Sequence, residues 1–226
     1  MAALLASAVL NAATITGVVR AQGKPEVEHD VASGKYDSRR FKFVNRIDYG
    51  KLRDLVVYID QPMTNNAPPA VPSVQIVRQK DAVFTPHVLP VMVGTTVRWP
   101  NQDDIFHNVF SYSAPKNFDL DLYKGNSCPD GRLKEVTFDK LGRVDVFCSI
   151  HSQMHCIMLV LPCPHFARAD SAGKYSLPNV PPGTYMLKAW HERLPESAKQ
   201  VQVPESGERK IDFTLGITGL PKHSVT

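Results

Sequence analysis

The chain has 226 residues, 43% of them hydrophobic and 21% charged, enough to bury one large core or two modest ones. Its formal charge of +4, from 26 Lys+Arg against 22 Asp+Glu, is mild and evenly spread. This excludes the dense cationic patch that a duplex nucleic-acid binder needs to displace counterions.

The first 13 residues, MAALLASAVLNAA, are almost all small or apolar and read as a secretory signal or its remnant. Export to the periplasm or the extracellular space is therefore expected. The run is shorter than the ~20 apolar residues a membrane-spanning helix requires, and no other segment reaches that length, so the mature protein is expected to be soluble.

From Thr14 onward nearly every periodic segment has the two-residue period and short length of a strand. An opening strand is predicted over Ile15–Val19 and a second over Leu55–Ile59. Others are Val91–Met92–Val93, Thr96–Trp99, Lys134–Phe138, Arg143–Phe147 and Ile157–Leu161. The last group runs over Met186–Trp190, Lys199–Val203 and Lys210–Leu215. No stretch keeps a helical apolar stripe for three turns, so the predicted fold class is all-β, built of sandwiches.

Proline marks two junctions: Pro62, Pro68, Pro69 and Pro72 cluster around Asn65–Asn66, and Pro162–Cys163–Pro164 follows the strand ending at Leu161. The block between them, residues 73–161, is about the size of one small sandwich. The tract Lys35–Arg53 is rich in Lys and Arg and reads as a solvated loop or as a docking patch for an acidic partner.

A metal that cycles between two oxidation states is well served by two imidazoles and a thiolate with a long, weak thioether on the axis, the set that suits copper. Those residue types occur here in a workable order: His107 after a strand and a Pro–Asn turn, then Cys148, His151 and Met154 at three-residue spacing where a strand ends. Zinc accepts the same two His and one Cys, but a thioether is a poor fourth ligand for it. His155 directly follows Met154 and competes for the axial role. A Cys–His nucleophile pair lacks any recognisable oxyanion device, so no enzyme activity is expected.

Four cysteines in an exported chain suggest disulfides. With Cys148 on a metal, Cys128, Cys156 and Cys163 allow at most one bridge. Cys156 and Cys163 are unsuited to pair with each other, because the run between them spans roughly 20 Å or more when extended. His87, His165 and His191 read as partly exposed loop or strand-end histidines, although Trp190–His191–Glu192 could face the central block.

The Cys148-x-x-His151-x-x-Met154 loop resembles the short ligand loop of amicyanin-type cupredoxins; plastocyanin-type loops have a longer His-to-Met spacing. The run Phe84–Val91 with Gly94, Trp99, Asn101, Asp103 and His107–Asn108–Val109 is similar to the cupredoxin segment leading to the first histidine ligand. The resemblance implies a copper ligand set of His107, Cys148, His151 and Met154, with Asn108 tying the ligand loops together behind it.

It further implies an electron carrier whose redox partner is a c-type cytochrome or a dehydrogenase. A copper carrier or storage module, and a structural protein with a vestigial site, are the alternatives. Asp170-x-x-Gly173-x-Tyr175-x-Leu177-Pro178-x-Val180-Pro181-Pro182-Gly183-x-Tyr185 resembles the central hairpin of carboxypeptidase regulatory-like, transthyretin-like sandwiches. This implies one discontinuous sandwich of residues 14–60 with 166–218, carrying the 73–161 block as an insertion and followed by a tail over 219–226. The whole arrangement is similar to periplasmic methylamine utilisation-type proteins.

Overall fold

A computed structural model describes residues 12–23, 48–63, 74–125 and 133–216. Residues 1–11 of the segment read as a secretory signal, most of the basic tract, the proline junction over 64–72, Cys128 and the C-terminal tail lie outside the described residues. The described chain is almost wholly β-strand, with one 3-10 turn at Tyr49–Lys51. Among the described residues no helix is long and apolar enough to cross a membrane.

The two ends of the described chain form a two-layer sandwich. In one sheet Ala13–Gln22 lies between Lys174–Val180, antiparallel, and Gly207–Lys210 with Phe213–Gly216, both parallel. The facing sheet runs in the order Phe166–Arg168, Val56–Ile59, Gly183–His191, Leu194–Val203. Between them Ile15, Val19, Val57, Ile59, Leu177, Leu187, Val201 and Phe213 close a single apolar core. The opening strand begins at Ala13, which is 2% exposed and pairs with Val180.

Two glycines of this sandwich have no substitute. At Gly17 a Cβ would come within 1.7 Å of the Ile211 carbonyl oxygen. Gly173 has φ of +78°, a conformation only glycine adopts freely, in a turn where the Asp170 side chain accepts the N–H groups of Ala172 and Lys174.

The central block forms a second sandwich. Its larger sheet has the order Lys116–Asp119, Phe110–Ser113, Gly142–Phe147, His155–Leu161, Val88–Met92, the last pair parallel. Opposite lie Glu135–Phe138, Thr95–Arg98 and Val74–Ile76. Trp99 fills the middle, fully buried, edge-on to Phe84 at a centroid distance of 5.9 Å. Phe138, Val144, Val146, Met158 and Val160 pack into the same cluster.

Two strands are buried on both faces because they serve two cores. Val57 and Ile59 point into the outer sandwich, whereas Val56 and Tyr58 point toward the central block. From the other side, Cys156, Met158 and Val160 belong to the central core, while Ile157, Leu159 and Leu161 meet Val56 and Tyr58. Phe166 and Trp190 rim this shared layer, and the Arg168 guanidinium crosses it to donate to the Val88 carbonyl at 3.1 Å.

Candidate metal centre

The ligand candidates converge at one end of the central sandwich. His107 ends a two-residue strand, Phe106–His107, that pairs with Tyr123–Lys124. Cys148 follows the strand Gly142–Phe147, and His155–Leu161 returns antiparallel to that strand. The intervening loop is closed on itself: the Cys148 N–H donates to the Met154 carbonyl at 3.2 Å and the Met154 N–H to the His151 carbonyl at 2.9 Å. A loop this tight carries thiol, imidazole and thioether with little freedom.

His107 Nδ1 and His151 Nδ1 lie 3.0 Å apart, and Cys148 Sγ is 3.7 Å from His151 Nδ1. His107 is fully buried, Cys148 is 5% exposed and His151 is half-buried. Met154 is fully buried in the same apolar cluster as Cys148. The neighbouring His155 points elsewhere. It has the strand parity of Ile157 and Leu159, lies flat on Phe147 at 4.7 Å, and its Nε2 sits 2.9 Å from an Asp145 carboxylate oxygen.

Asp103, named in sequence only as part of a run, emerges as a partner of His107. Its Oδ2 is 2.8 Å from His107 Nε2. The same carboxylate accepts the N–H groups of Asp81 at 2.7 Å and Ala82 at 3.0 Å. Burial works to raise the Asp103 pKa, but the hydrogen bonds from Ala82, His107 and Asp81 outweigh it and hold the carboxyl below its usual value. An ionised Asp103 accepts a hydrogen bond from His107 Nε2–H, which keeps the proton on Nε2 and leaves the Nδ1 lone pair facing Cys148 and His151.

Asn108 bridges the two ligand segments. Its Oδ1 accepts the Ser149 N–H at 2.7 Å and the Ser149 hydroxyl at 2.9 Å, while its Nδ2 donates to Asp119 at 3.4 Å.

The donor set fits a copper ion. Two imidazole nitrogens facing at 3.0 Å share either the Nδ1 proton of His151 or a cation, and with the His107 proton held on the far side by Asp103 the His107 Nδ1 is free to serve as a ligand. The 3.0 and 3.7 Å edges also have the size expected of nitrogen and thiolate atoms sharing one ion through bonds of about 2.0 and 2.3 Å.

Among the described residues His87, His165 and His191 do not come together with one another. His191 is buried, 4% exposed, contrary to its reading as partly exposed, because the hairpin folds back on it and the Arg193 N–H donates to its Nδ1 at 3.1 Å. Burial lowers the pKa of His191 and of His165. His87 instead meets His155 and Glu192. Among the described residues Cys148, Cys156 and Cys163 are all free thiols; Cys156 lies in the central core and Cys163 in the outer one.

Fold and donor set together define an all-β metalloprotein with a buried mixed nitrogen and sulfur site. Residues 73–161 match the family of copper binding proteins, plastocyanin/azurin family, and this segment is a cupredoxin domain with copper as its ion. The match covers less than half of the chain, and the family is one of copper-binding proteins.

Similar solved structures include a copper-containing nitrite reductase from Thermus scotoductus SA-01 at 29% identity, covering 44% of this chain and 25% of that one, with a TM-score of 0.35. The chain thus spans only a quarter of that enzyme's length. Amicyanin from Paracoccus versutus is 17% identical, covering 46% of this chain and 96% of that one, with a TM-score of 0.33. A purple cupredoxin from Nitrosopumilus maritimus is 23% identical, covering 38% and 98%, with a TM-score of 0.32. No curated protein matches the chain.

Proposed function

We propose that the protein is an exported carrier of single electrons, with copper held by His107, Cys148, His151 and Met154. The observation that carries this reading is the convergence of two Nδ1 atoms and one Sγ at 3.0 and 3.7 Å on a loop closed by its own backbone. Copper supplies the one-electron change between its two oxidation states. The protein's share is to keep the donors still: Asp103 fixes the His107 ring, Asn108 ties the two ligand segments, and Met154 sits in dry, close-packed surroundings. A scaffold that moves little between oxidation states suits electron transfer.

His151 is the most exposed of the four, and the apolar side chains of Ile150 and of Phe106, beside His107, are 51% and 54% exposed. An electron leaving by the His151 edge would therefore meet a partner across an apolar surface, as a weakly bound c-type cytochrome or dehydrogenase would provide. Residues 14–60 with 166–218 are read as one carboxypeptidase regulatory-like sandwich carrying the 73–161 domain as an insertion.

A spectrum and voltammogram of the copper-loaded protein test the carrier role. An intense visible thiolate-to-copper band with a reversible couple is expected; a colourless, tight copper(I) complex with no reversible couple would assign the protein to copper storage instead. Met154→Leu is expected to keep copper and to raise its reduction potential, since the axial donor tunes that potential. Loss of all copper from this variant would make Met154 a firm ligand rather than a weak axial one.

A further inference from the structure

We propose that His87, His155 and Glu192 form a second metal site, for a divalent ion of the zinc and copper(II) class, which joins the cupredoxin domain to the outer sandwich. One ring nitrogen of each histidine and one carboxylate oxygen of Glu192 lie within 4.8 Å of one another. The ligands come from three places: His87 from the turn before Val88–Met92, His155 from the first position of His155–Leu161, and Glu192 from the hairpin between Gly183–His191 and Leu194–Val203. Their side chains are 38%, 25% and 23% exposed, open enough to admit an ion and to leave water a coordination position.

The surroundings prepare both rings. His87 Nδ1 is 3.1 Å from the His155 carbonyl oxygen, which only accepts, so Nδ1 holds a proton, and Nε2, 3.1 Å from Glu192 Oε1, is the nitrogen that would give up its proton to an ion bound between them. His155 Nε2 is 2.9 Å from Asp145, leaving Nδ1 as its donor. Asp145 is itself gripped by both arms of Arg143 at 2.7 and 2.9 Å. A histidine with one nitrogen tied to a carboxylate or carbonyl and the other free is the arrangement that orients metal-bound imidazoles, and two histidines with one carboxylate are a complete protein set for zinc. The two rings meet edge to face with centroids 5.4 Å apart, so neither ring covers the other's donor.

The competing description is an ion pair between a protonated His87 and Glu192. Zinc titration of protein already holding one equivalent of copper separates the two. The expected result is one zinc bound per chain with the visible band retained, and binding weakened about tenfold or more by Glu192→Gln and by His87→Gln while circular dichroism is unchanged. Zinc held at His107, Cys148 and His151 instead would be insensitive to Glu192→Gln, which keeps the fate of this site distinct from that of the copper centre. Absence of bound zinc beyond the copper, or zinc binding equally strong in both variants, overturns the proposal.

Discussion

Cys148→Ser is expected to abolish the intense visible band of the copper-loaded protein. The band requires a thiolate donor, and a serine hydroxyl remains protonated where a cysteine beside a metal does not. The substitution is close to isosteric, and Cys148 lies at the end of a strand whose hydrogen bonds do not involve its side chain. The apo protein should therefore fold and melt nearly as before, which separates loss of colour from loss of structure. Absorption spectroscopy with copper content measured in parallel checks the expectation. A variant retaining the full band would remove Cys148 from the site.

Asp103→Ala is expected to weaken copper binding by about ten- to a hundredfold, the usual cost of removing the partner that orients a ligating histidine. Three contacts are lost together. His107 Nε2 loses its acceptor and the ring its fixed tautomer, and the N–H groups of Asp81 and Ala82 lose theirs. Part of the loss falls on stability, because the Asp103 loop is partly buried and its donors are left unpaired. Competition for copper with a chromophoric chelator measures the affinity, and thermal unfolding of the apo form measures the structural share. Unchanged affinity alongside lowered stability would reduce Asp103 to a loop anchor.

The strands were legible because alternation survives wherever one face meets a core, as in Arg143–Phe147 and Glu135–Phe138. The candidate donors stood out in the sequence because copper chemistry needs a rare combination at short spacing. The competition between Met154 and His155 was open to the same period-two reasoning. Met154 shares parity with Cys156, Met158 and Val160, which face the central core, and His155 shares it with Ile157 and Leu159, which face the layer shared with the outer sandwich.

Other features had no local signature. An aspartate in a loop after Pro100–Asn101 looks solvated until the backbone turns it beneath His107, and Glu192 meets His87 only through tertiary contact across more than a hundred residues. His191 looked exposed because sequence cannot say how closely a hairpin folds over its own end.

The strand from His155 to Leu161 has divided loyalties, and this bears on how such a chain can change over generations. Cys156 and its even-numbered companions answer to the core of the copper domain, the odd-numbered residues to the layer it shares with the outer sandwich. A change of side-chain size at Ile157 is felt at Val56 and Tyr58 of the outer sandwich as well as at Val88 beside it, while a change at Met158 stays within the core of the copper domain. Through the segment that closes the copper loop, a substitution in one unit is therefore also a substitution in the surroundings of the other.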